Sequence, residues 1–126
     1  MNKMTAESEG FNSLEILGVK EKNENSVTLE FSVPASSPYY DGHFPGFPIL
    51  PAVAQTEMIL RLAAKHFGSG IDVSEIKRIK FSNFLFSDRP HLLRLDKKDN
   101  TLSFRVFSPD GETVFSQGSF VLRDGP

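Results

Sequence analysis

Cysteine is absent from the 126 residues. Disulfides, thiolate nucleophiles and cysteine-ligated metals are therefore excluded. There is no tryptophan, and there are only three histidines. No run approaches the roughly 18 apolar residues of a membrane-spanning helix. An excess of positive charge is also missing: the formal net charge is -2. Without a basic footprint, nucleic acid is not an expected partner. The first ten residues, MNKMTAESEG, are polar and acidic and lack the apolar core of a signal peptide. The expectation is a cytoplasmic protein with no membrane partner.

What is present suits a globular chain, with 39% hydrophobic and 24% charged residues. Residues 1–10 have no periodicity and read as a flexible N-terminal tail; residues 11–126 read as a single domain. Leu14 to Lys20 alternates except at Gly18, which suggests a bulge. Ser26 to Val33 alternates cleanly, with Val27, Leu29, Phe31 and Val33 on one face. These two runs predict a hairpin. Later strands are expected over Glu75 to Phe86, with a phase slip at Lys77–Arg78, then His91 to Leu95, Leu102 to Phe107 and Thr113 to Leu122. Turn signals separate them at Ser87–Pro90, Lys97–Asn100 and Ser108–Glu112.

Between the first hairpin and those strands lies the stretch that carries chemistry, YYDGHFPGFPILPAVAQTEMILRLAAKHF from Tyr39 to Phe67. Pro45, Pro48 and Pro51 stiffen a loop that holds His43. Pro51 suits a first helical turn and Gly68 a helix stop, so a helix is predicted from Ala52 to Phe67. Its apolar residues, Val53, Ala54, Met58, Ile59, Leu60, Leu62, Ala63 and Ala64, spread over most of its circumference and predict a largely buried helix. The order β–β–α–β–β–β–β predicts an α+β fold: one long central helix wrapped by an antiparallel sheet of about six strands.

His43 is a natural base, and Glu57 is a carboxylate in an apolar helix. Glu57 lies near the helix N-terminus, whose free N–H groups polarise a carbonyl. A base, a carboxyl group and an oxyanion site are the set needed to remove a proton α to a thioester carbonyl and expel a β-hydroxyl. Other readings stand beside this one. Glu57 pairs equally well with Arg61 one turn later, and a loop histidine is commonly a surface residue.

DGHFPGFPILPAVAQTE resembles the active-site signature of the β-hydroxyacyl-acyl-carrier-protein dehydratases of the hotdog fold, the FabA/FabZ type. His43, Phe44, Pro45, Gly46, Pro48, Pro51, Val53 and Glu57 fall in register, with the carboxylate fourteen residues after the histidine. The resemblance implies a hotdog fold and cofactor-free, metal-free dehydration of a 3-hydroxyacyl thioester. The carrier would be acyl carrier protein or coenzyme A. His43 would take the C2 proton and Glu57 would protonate the departing C3 hydroxyl. The Ala52 N–H would bind the thioester carbonyl, and the Ile49 carbonyl would orient the imidazole. Gly46 and Val53 would complete the substrate contacts. It implies a homodimer or higher oligomer, with the site at the interface.

Three departures matter. The family's glycine before valine is Ala52 here, and the segment FSNFLFSDRP lacks the family's R-P-V-x-P-G-D. With the missing N-terminal L-P-H-R-Y-P-F segment, these point to a shorter relative, such as the dehydratases of aryl polyene or other specialised acyl-chain pathways. The alternatives are a hotdog thioesterase, against which the HFPG histidine argues, and a non-catalytic acyl-thioester-binding subunit.

The remaining candidates carry less. His66 reads as a helix C-terminal charge and His91 as a strand surface residue. Tyr39 and Tyr40 either line an entrance or pack. Phe81, Phe84 and Phe86 read as core more than channel. Lys77, Arg78 and Lys80 read as a solvated face, or as a dock for an acidic carrier protein. Asn83 has no assigned role.

Overall fold

The computed structural model describes residues 14–34, 52–68, 71–83 and 85–123. The elements follow the predicted order: β1 (Glu15–Lys22), β2 (Ser26–Ser32), helix α1 (Ala52–Phe67), β3 (Val73–Phe81), β4 (His91–Lys98), β5 (Thr101–Phe107) and β6 (Val114–Leu122). The six strands form one sheet in the order β1-β2-β4-β5-β6-β3, and every pairing is antiparallel. Among the described residues, one helix on a six-stranded antiparallel sheet gives the hotdog fold. No described helix is long and apolar enough to cross a membrane.

Alternation decides which face carries the core. Val27, Leu29 and Phe31 of β2 stand opposite Leu95, Leu93 and His91 of β4. Leu93 and Leu95 stand opposite Val106 and Phe104 of β5. Met58, Ile59, Leu62 and Ala63 of α1 join these in one buried cluster. The helix buries a stripe rather than the most of its circumference expected from composition: Ala64 is exposed, and Ala54 and Leu60 are only partly buried. The helix lies against one face of the sheet, and among the described residues no second layer covers its far side. Its C-terminus closes as expected, with Gly68 at φ 88 donating its N–H to the Ala64 carbonyl at 2.8 Å.

Both suspected irregularities are present. In β1 the register shifts between Ile16 and Gly18, and again between Val19 and Glu21. In β3 it shifts between Lys77 and Lys80, where Arg78 takes the left-handed conformation at φ 53. This bulge presses Ile79 against Gly118 of β6. A Cβ on Gly118 would lie 2.8 Å from the Ile79 Cα.

Some boundaries differ from the sequence reading. β3 ends at Phe81 rather than Phe86 because the chain there is tied to β6: the N–H groups of Ser82 and Asn83 both donate to the Phe115 carbonyl. The Asn83 side chain donates to the Val114 carbonyl at 2.7 Å, which gives that residue its role. β4 runs on to Lys98, so the turn before β5 is tighter than expected, with Asp99 at φ 54. Phe81 is 40% exposed and Phe86 half-buried beneath the Arg89 guanidinium; Phe84 lies outside the described residues, and among those described here Leu85 is the core residue.

Candidate active site

The helix begins at Ala52, as the proline-to-alanine transition predicted. Its first N–H groups have no acceptor within the helix and form a ready donor set. Ala52 is exposed, and its carbonyl accepts a 2.9 Å hydrogen bond from the Thr56 hydroxyl. Val53 follows in the same turn. Glu57 stands in the second turn on the exposed side of the helix, its Oε2 2.9 Å from Arg61 Nη2. The Arg61 pairing considered from sequence is thus present. At half exposure such an i,i+4 pair contributes only about 0.3–0.5 kcal/mol, so it does not commit the carboxylate. His43, Gly46 and Ile49 lie outside the described residues, as do Tyr39 and Tyr40.

Beneath the helix start lies a polar cluster that the sequence reading missed. Gln55 faces the sheet, buried, and its Oε1 accepts a 3.1 Å hydrogen bond from the Ser116 hydroxyl of β6. Beside Ser116, the Phe115 ring meets His91 edge-on at 4.8 Å, and Phe31 lies 5.7 Å away on the neighbouring strand. His91 is 2% exposed, not a surface residue. Its Nδ1 has no hydrogen-bond partner among the described residues. Burial pushes its pKa down to about 4; a backbone hydrogen bond with Arg89 opposes the shift, and the Arg89 charge reinforces it. The imidazole is therefore neutral at physiological pH. The signal was in the sequence: His91 alternates with Leu93 and Leu95, and Gln55 shares a helical stripe with Met58, Ile59 and Leu62.

Gln55, which reaches Ser116 of β6, stands in the first turn at the same end of the helix as Ala52 and Glu57. Among the described residues, no three histidine, aspartate or glutamate side chains converge as metal ligands.

Residues 19–119 match the family of ApeI-like dehydratases, typified by the ApeI dehydratase. The chain belongs to this family. The match spans the positions of both His43 and Glu57. The chain is also similar to the 3-hydroxyacyl-acyl-carrier-protein dehydratase FabZ of Chlamydia trachomatis, 29% identical over 110 residues that cover 82% of this chain and 71% of that protein. Among solved structures it resembles the dehydratase heterocomplex ApeI:P from Xenorhabdus doucetiae. The TM-score is 0.76 at 24% identity, covering 86% of this chain and 96% of that one, a likeness of fold. An uncharacterised protein from Erwinia carotovora subsp. atroseptica gives a TM-score of 0.70 at 27% identity, covering 87% and 95% of the two chains. The chain thus has the hotdog fold and belongs to a dehydratase family, and its FabZ relative is named for 3-hydroxyacyl-acyl-carrier-protein dehydration.

Proposed function

We propose that this protein converts a 3-hydroxyacyl thioester, carried on acyl carrier protein, into the trans-2-enoyl thioester and water. His43 removes a proton from C2. The electron pair left on C2 forms the C2–C3 double bond as the C3–O bond breaks. Glu57 supplies the proton with which the hydroxyl leaves as water. The Ala52 N–H stabilises negative charge on the thioester oxygen during proton abstraction. The Ile49 carbonyl orients the imidazole, and Gly46 and Val53 border the acyl group. The Ala52 methyl, where relatives carry glycine, narrows the approach but leaves the donor in place.

The observation that carries this reading is the start of α1 at Ala52, in a chain of a dehydratase family whose histidine and carboxylate stand in register on either side of that start. A second copy of the chain is part of the proposal. Glu57 lies on the uncovered side of the helix, and edge strand β3 exposes Ile76 and Phe81. A second copy would cover that surface and bring its own His43 to Glu57. The protein acts without a metal or organic cofactor and in the cytoplasm.

The test is hydration of a crotonyl thioester, followed by loss of enoyl absorbance, in wild type and His43→Ala. Turnover in wild type that disappears in the variant supports the assignment. Equal turnover in both removes His43 from the chemistry. Release of free thiol and acid in place of hydration would make the protein a thioesterase.

A further inference from the structure

The face of the sheet turned away from the helix holds a second feature, which the dehydratase chemistry leaves unused. Arg94 of β4 stands directly opposite Arg105 of β5, Arg105 opposite Gln117 of β6, and Gln117 opposite Lys80 of β3. Cross-strand partners share a face, and this row points away from Leu93 and Leu95 in the core. Like charges placed directly opposite destabilise a sheet, yet here a chain of net charge -2 gathers its cations.

Arg94 is satisfied. It donates to both Asp96 carboxylate oxygens at 2.9 and 3.0 Å and to Glu21 at 3.0 Å. Arg105 is braced differently, with its guanidinium 5.1 Å from the centre of the Phe107 ring. Neither Arg105 nor Arg78 has an ion-pair partner among the described residues. Arg78 reaches this face only through the β3 bulge, at φ 53, and the bulge is accommodated only because residue 118 is glycine. Bulges characteristically re-aim a side chain. These two guanidinium groups line one groove of about 390 Å³ with Ser103, Gln117 and Ser119; the Arg94–Asp96 pair also lines it, its carboxylate held by Arg94.

We propose that this groove binds a phosphate-bearing small molecule, with Arg78 and Arg105 gripping the phosphate oxygens. Guanidinium forks match phosphate oxygens in pairs, and the neighbouring hydroxyls and amide add neutral donors. The volume falls in the range of about 300–1,000 Å³ of small-molecule sites, larger than a lone phosphate needs. The ligand is thus a diphosphate, or a phosphate carried on a larger group. The site lies on the opposite face of the sheet from α1, so it stands independently of the dehydratase reading.

Backbone amide shifts of Ser103, Gln117 and Ser119, followed by NMR, test this with inorganic pyrophosphate and with adenosine diphosphate as probes. Sodium chloride at matched ionic strength is the control. Wild type should show saturable shifts with a phosphate probe and none with chloride. Arg78→Gly and Arg105→Gln should each weaken binding at least about tenfold, the loss of one charge-assisted contact. Arg78→Gly is a fair variant because glycine is at ease at positive φ. Tighter binding of adenosine diphosphate than of pyrophosphate would point to a nucleotide source, and equal binding to a free diphosphate. Shifts that do not saturate, that chloride reproduces, or that both variants leave unchanged would overturn the site.

Discussion

Glu57 and Arg61 pair across one helical turn at 2.9 Å, with 51% and 42% of their side chains exposed. A pair in that setting does little for stability, so the two residues separate cleanly by experiment. Glu57→Gln is expected to cut dehydratase turnover by about 10²–10⁴-fold, the scale of a positioned proton donor. Stability should change by no more than about 0.5 kcal/mol. Arg61→Ala should match that small stability change and retain turnover within a few-fold. Thermal melts beside thioester hydration assays check both. Equal activity losses in the two variants would show the ion pair itself to be the working unit.

His91 makes stability depend on pH. Its folded pKa is held at about 4, below the ordinary 6.5, so between those values the unfolded chain binds more protons than the folded one. Stability should be full above pH 6.5, fall as pH drops through that window, and level off below about 4. The shift corresponds to a loss of up to about 3 kcal/mol. Urea unfolding at pH 7.5, 5.5 and 4.5 measures the total, and His91→Phe isolates this residue's share. The variant fills the same aromatic cluster and should flatten the slope. An unchanged slope would place the acid sensitivity elsewhere.

Punctuation and periodicity carried much of the architecture. Pro51 and Gly68 bracket α1, and the slip of phase at Lys77–Arg78 marks a real bulge. Propensity alone could not tell which side of a strand would be covered. Phe81 is apolar but sits on an edge strand, so it remains exposed, whereas His91 is polar but shares a face with Leu93 and Leu95. Tertiary burial overrode composition in both cases. The His43–Glu57 spacing was legible only as a motif, because a loop histidine and a helical carboxylate are too common to identify a site individually. The Gln55–Ser116 contact joins residues 61 apart in sequence and depends on the sheet order, which local pattern does not supply.

Gly118 answers to the β3 bulge. A Cβ there would lie 2.7 Å from Ile79 Cγ1 and 2.8 Å from its Cα, and the backbone contact cannot be relieved by a rotamer change. Gly118→Ala should therefore destabilise the fold by about 1–3 kcal/mol, the usual cost of overpacking. Arg78→Gly relieves a positive-φ side chain worth about 1–2 kcal/mol but loosens the strand by about 0.5–1 kcal/mol, so it should be close to neutral. Chemical denaturation of both variants checks the contrast. A neutral Gly118→Ala would show that β3 shifts freely against β6.

The β3 edge offers the clearest test of assembly. β1, the other edge, exposes Ile16, Leu17 and Val19 and carries register shifts between Ile16 and Gly18 and between Val19 and Glu21. β3 carries two register shifts as well, between Val73 and Glu75 and between Lys77 and Lys80, but exposes Ile76 to 57% in the stretch between them, and an apolar edge of this kind seeks another chain. If a second copy docks there and completes the site, Ile76→Lys should shift the protein from dimer to monomer in light scattering. Turnover should fall in step, while the far-ultraviolet circular dichroism spectrum is preserved. Mixing inactive His43→Ala with inactive Glu57→Gln should then restore part of the activity, because each mixed dimer holds one site with both groups intact. Failure to restore activity in a demonstrated mixed dimer would place His43 and Glu57 of each site in the same chain. A monomeric wild type with full turnover would remove the second copy from the mechanism altogether.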